Sequence, residues 1–112
     1  MYRCEIPKNI LDRDITIKLE FDITETKIAG KAQMSLKEQG WDVKVPGTIN
    51  GTFDPVANAI TFQTAGLQGK YSGMDYQIQV TGTGTRTGET ITADIAMALV
   101  SYHRKDRVTF TS

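Results

Sequence analysis

The densest run of reactive side chains lies near the C-terminus, where His103, Arg104, Lys105 and Arg107 fall within five residues. Three cations beside an imidazole are suited to holding an anion, because carboxylates and phosphates take strong charge-assisted hydrogen bonds from such donors. Tyr71 and Tyr76 could add hydroxyls to the same task. Catalysis would need more than this. His103 is the only histidine, so no two imidazoles can share a metal, and no serine stands in a nucleophile motif that could complete a Ser-His-Asp site. Cys4 is the only cysteine, which excludes an internal disulfide and a cysteine-rich metal site. Its expected state is an idle or buried thiol. Glu20 and Asp22 share one face of an alternating segment, where acids ordinarily serve solubility. Gly82-Thr83-Gly84-Thr85 is glycine-rich, yet no helix follows to offer an N-terminus to phosphate. No metal and no cofactor are expected, and the chain is not expected to be an enzyme.

The elements that must position these residues are strands. From Ile15 to Thr24 every odd residue is apolar and every even one polar, the period of a strand with one dry and one wet face. Glu25-Thr26 turns the chain into Lys27–Lys37, with Ile28, Gly30, Ala32, Met34 and Leu36 inward. After Gln39-Gly40 the same spacing runs from Trp41 to Phe53, and Pro46 marks a bulge or an edge within it. Asp54-Pro55-Val56-Ala57-Asn58 is a turn, followed by a strand through Ile60, Phe62 and Thr64 that Ala65-Gly66 ends. A short fifth strand spans Gln68–Ser72. A sixth carries Tyr76, Ile78, Val80, Gly82 and Gly84, and a seventh Ile91, Ala93, Ile95, Met97 and Leu99. The last carries Val108 and Phe110.

Eight strands joined by short loops predict an all-β fold, an antiparallel up-and-down meander closed or nearly closed into a barrel, with a two-sheet sandwich as the alternative. Closure would remove the exposed edges of long strands. In strand count the meander is similar to the calycin-type barrels, which include the lipocalins. The Gly-x-Trp signature of lipocalins is missing, since Trp41 follows Gly40 directly, so no family residues are carried over.

Length allows one domain: residues 15–112 form the barrel, and residues 1–14 cover its lower end with Ile10 and Leu11. Alternating strand directions then gather Phe53, Tyr71, Tyr76 and Met97 at the upper end. Above them lies the longest loop, Ser101–Asp106, with its basic residues. That mouth predicts a non-enzymatic protein holding a small apolar or amphipathic ligand, one bearing an acid group being the best match to Phe53, Tyr71, Tyr76, Met97, His103, Arg104, Lys105 and Arg107. The inward glycines and alanines either relieve crowding or leave room for that ligand.

One outward feature departs from the polar rule. Ala96, Ala98 and Val100 point away from the core on the seventh strand, as does Ala29 on the second. This predicts, as the alternative function, contact with a partner protein or a second copy. Outward Thr81, Thr83, Thr85, Thr90 and Thr92 need no more than β-propensity. Thirteen basic residues balance thirteen acidic ones, which argues against nucleic-acid binding, a process driven by phosphate neutralisation. No apolar run approaches the roughly 20 residues of a membrane helix. The sequence given shows no signal peptide, consistent with a soluble protein of the cytoplasm or one secreted with its signal removed.

Overall fold

A computed structural model describes the backbone of residues 1–10, 13–38, 41–71, 74–99 and 102–112, and the side chains of 1–7, 14–36, 43–68, 77–98 and 103–112. Nine strands account for most of it: β1 (Tyr2–Ile10), β2 (Arg13–Thr24), β3 (Lys27–Glu38), β4 (Trp41–Asp54), β5 (Ala59–Ala65), β6 (Gln68–Tyr71), β7 (Met74–Thr87), β8 (Thr90–Leu99) and β9 (Tyr102–Thr111). They pair in the order β5-β4-β3-β2-β1-β9-β8-β7-β6, and β7 also pairs with β5. That last pairing closes an eight-stranded antiparallel meander barrel rather than a sandwich.

Local chemistry makes the reversals. Glu25 (φ 58°), Asn58 (φ 54°) and Gly88 (φ 62°) take left-handed conformations at three turns. Asp54 Oδ1 accepts the Val56 N–H at 3.0 Å, and the Thr90 hydroxyl donates to Thr87 O at 3.0 Å. Such local bonds satisfy backbone or side-chain groups where the ladders stop. Pro46 lies below Thr48↔Ala65, the last β4–β5 pair, so its missing N–H interrupts no ladder on that side.

The eight strands are not the eight expected. Residues 2–10 do not lie across a barrel end. They form β1, paired with β2 from Tyr2↔Phe21 to Ile10↔Arg13. Tyr2, Cys4 and Ile6 face inward, opposite Phe21, Leu19 and Ile17, so the alternation reaches the N-terminus. The proposed plug, Ile10 and Leu11, falls outside the described side chains.

Conversely, β6 is no separate rung. Both β5 and β6 pair with β7, through Gln63↔Thr81 and Gln68↔Gln77 respectively. The four residues 64–67 face the three residues 78–80, the arithmetic of a bulge. Gly66 (φ 83°) supplies the kink, and Gln68 N–H donates to Gly66 O at 2.8 Å. Across the gap the Thr64 hydroxyl accepts the Val80 N–H at 2.9 Å, and Leu67 O accepts the Ile78 N–H at 2.8 Å. Ala65-Gly66 therefore bends the chain without reversing it. Every strand after it runs opposite to the direction expected from counting β6 as a rung.

The core fills the barrel with side chains. Phe21, Phe62 and Phe110 meet with centroid separations of 5.0 to 6.0 Å, and Ile17, Leu19, Ile49, Ile60 and Ile91 are sealed around them. Burial of each such side chain contributes about 1.5–3 kcal/mol, and aromatic pairs of this geometry add about 0.5–1.5 kcal/mol. The inward glycines are taken up by this packing. Gly82 lies under the Phe62 ring, and Gly30 lies against the backbone of Glu20 and Phe21.

Closure is uneven around the ring. β1 makes nine pairs with β2, and β9 makes ten with β8, but β1 and β9 share one, Arg3↔Thr111. On either side of this seam, inward residues are sealed: Ile15, Ile17 and Leu19 on β2, and Ile91, Ala93, Ile95 and Met97 on β8. At the seam itself, inward Tyr2 and Cys4 on β1 and Asp106 and Val108 on β9 are only half-buried, although Ile6 and Phe110 stay covered. Pro7 and the charged residues of β9 are devices that keep such an edge from indiscriminate pairing.

Candidate functional site

The corrected directions separate the residues expected at one mouth. Phe53 sits near the end of β4, buried, with the Arg86 guanidinium 4.5 Å above its ring. The register Phe53↔Ile60, Ile60↔Gly84, Gly84↔Ala93 puts it level with Ala93 on β8. Met97 lies four residues farther toward the opposite end, about 13 Å at the usual rise per residue, and its side chain is sealed in the core. The side chains of Tyr71 and Tyr76 lie outside the described residues.

The basic segment is strand rather than loop. β9 begins at Tyr102 and keeps register with β8 through Ala98↔His103, Met97↔Arg104, Ala96↔Lys105 and Asp94↔Arg107. Its charges do not prevent pairing, because alternate residues of an antiparallel strand face solvent while the backbone makes the ladder. His103, Lys105 and Arg107 therefore stand on the barrel's outer face. Arg104 shares the side of Met97 and is exposed near the seam.

The residues expected at an outer interface also separate. Ala29 is exposed on β3, which lies four strands from β8 in either direction around the eight-stranded ring. Val100 lies outside the described residues. Ala96 is exposed and Ala98 half-buried on β8.

What the fold does bring together is Ala96 and Ala98 with the basic row of β9. These two alanines, with Gln79, Thr81, His103, Arg104 and Lys105, line an open groove of about 440 Å³ on the outer surface. A second groove, about 830 Å³, adjoins it and shares Thr81, Ala96 and Lys105. Its further outward walls are Thr61 and Gln63 on β5, Thr83 on β7, Asp94 on β8 and Arg107 on β9. The result is one trough with three kinds of surface. Uncharged hydroxyls and amides stand on the β5–β7 side, small apolar residues form the floor, and cations stand on the β9 side.

Arg107 and Asp94 fix one stretch of the basic wall. Arg107 Nε donates to Asp94 Oδ1 at 2.9 Å, and this hydrogen bond, with the charge behind it, holds the guanidinium protonated above its ordinary range. Both side chains are exposed. Lys105 is exposed on the same face.

The outward threonines extend beyond those read from β7 and β8. Thr85, Thr92 and Thr109 lie in register across three strands, as do Thr87, Thr90 and Thr111. Thr61, Gln63 and Gln79 were not singled out by sequence reasoning as site residues. Their outward parity was legible, but only the β5–β7 and β7–β8 registers place them on the trough.

Nucleophilic chemistry finds little here. Burial pushes the Cys4 thiol up to about 11, with the Glu5 carboxylate adding to the shift. Among the described residues, no three of His, Cys, Asp and Glu stand close enough to hold a metal ion. No family model, curated protein or solved structure matches this chain.

Proposed function

We propose that this chain is a non-enzymatic binding protein that takes a small amphipathic ligand bearing an acid group, and that it does so in the outer trough rather than at a barrel mouth. The observation that carries this reading is the juxtaposition of Ala96 and Ala98 with Lys105 and His103 across paired strands. An apolar part of a ligand would lie on the alanine floor while its carboxylate meets Lys105, and Thr81 and Gln79 would orient its polar atoms. Concave sites with an apolar lining and a few placed polar groups have this general composition. The trough is open to solvent, so an affinity in the micromolar range or weaker, about −8 kcal/mol or less favourable, is appropriate.

The test is a panel of aliphatic and aromatic carboxylates, followed by the melting temperature. At least one should stabilise the protein, and its effect should vanish in Ala98→Trp, which fills the floor, while the unliganded variant still folds. If no member of the panel shifts the melting temperature, or if Ala98→Trp leaves the shift intact, the trough is not the binding site.

A further inference from the structure

We propose that the seam between β1 and β9 is a strand-acceptor site, filled by an extended segment of a partner protein with acidic residues at alternate positions. Two independent features of the barrel meet there. The first is the ladder: one pair, Arg3↔Thr111, joins strands that each make a full ladder on their other side. From Tyr102 to Phe110 the edge of β9 turned toward β1 has no ladder partner among the described residues. A strand edge of that length is a ready template for main-chain hydrogen bonds from another segment.

The second feature is solvent reaching inward positions at this seam whose cross-strand partners on the flanking strands are sealed. Cys4 and Val108 are half-buried, whereas Leu19 and Ala93, their partners on β2 and β8, are sealed. Small apolar side chains on one face of an incoming strand would cover them.

Charge then selects the occupant. The outer row of β9 reads His103, Lys105, Arg107, with Arg107 already engaged by Asp94. The outer row of β1 alternates Arg3 and Glu5, and the inner side of β9 adds Asp106 and Arg104. Directly opposed charges on neighbouring strands stabilise when opposite and destabilise when alike. An incoming strand therefore gains by placing carboxylates beside His103 and Lys105. Its alternate residues, turned inward, should be valine-like. The seam differs from the trough in what it recognises, because main-chain donors and acceptors carry the contact and the side chains only choose the sequence.

The probe is a short synthetic peptide alternating glutamate with valine, titrated into the isotope-labelled protein and followed by amide hydrogen exchange. The β9 amides directed toward β1 should gain protection, and alkylation of Cys4 should slow. Methylating alternate backbone nitrogens of the peptide removes two or three main-chain hydrogen bonds and should weaken binding by about tenfold or more. Lys105→Glu should weaken the unmodified peptide by a similar factor. Equal binding of the methylated peptide would reduce the interaction to charge attraction and overturn the proposal. So would failure to bind, or a concentration-dependent dimer of the protein alone whose β9 edge is already protected.

Discussion

The ring of Phe62 lies against the α-carbon of Gly82, so closely that a Cβ at Gly82 would come within 2.3 Å of the ring's Cζ. The two residues are paired across β5 and β7, the contact that closes the barrel. Glycine here is a packing requirement. Gly82→Ala should destabilise by about 1–3 kcal/mol, the usual cost of overfilling a packed core. Combining it with Phe62→Leu should cost less than the sum of the two single changes, because the smaller side chain leaves room for the methyl. Urea unfolding of the four proteins measures this, and strict additivity would contradict the contact.

Thr64 completes the same closure by chemistry rather than by shape. The residue is only 4% exposed, and its hydroxyl stands in for the missing ladder acceptor of Val80 N–H. Thr64→Val keeps the volume and leaves that buried donor without a partner, a loss of about 1–3 kcal/mol. Thr64→Ser should retain most of the stability. Exchange of the Val80 amide should accelerate in the valine variant and not in the serine one.

Cys4 should be a slow thiol. With its pKa pushed up to about 11, it is almost wholly protonated at neutral pH, and the thiolate is the nucleophile. Iodoacetamide should react much more slowly with the native protein than with the urea-unfolded chain. The folded pKa lies above the ordinary value of 9.0, so the folded state binds the proton more tightly. Its contribution to stability is therefore complete below pH 9 and falls as pH rises from 9 toward 11. Cys4→Ser should flatten that part of the stability–pH curve. An equally steep curve in the variant would assign the loss to other groups.

The seam predicts an asymmetry within a single strand. Amides of β9 directed toward β8 belong to a ten-pair ladder, and those directed toward β1 have one pair at the end. Native-state hydrogen exchange should alternate slow and fast along residues 103–110. Uniform protection would mean that β1 and β9 are laddered throughout.

Much of this architecture was legible from period-two alternation alone. From Ile15 to Leu36 and from Ile78 to Met97 the inward residues are those the sequence marks. Two local signals misled. Pro7-Lys8 interrupts the alternation of residues 2–10, and Ala65-Gly66 reads as a reversal when it is a kink. Gly66 in the left-handed region is compatible with either, and only the pairing of both β5 and β6 with β7 distinguishes them. That one reading inverted β7, β8 and β9, and with them the expected mouth. The trough was less legible still, because its far wall depends on β5 pairing with β7 past β6: Thr61 meets Thr83 by a register that no local pattern encodes. The basic row was recognisable as an anion-binding candidate, yet runs of charge suggested a loop where the backbone continues as strand.

The outer trough as binding site is tested most directly by nuclear magnetic resonance chemical-shift mapping, titrating a carboxylate that stabilises the protein into isotope-labelled samples. The shifts should concentrate at Thr81, Ala96, Ala98, His103 and Lys105. Shifts centred instead on Phe53 and Arg86 at the opposite end of the barrel, with the trough residues unmoved, would contradict the account.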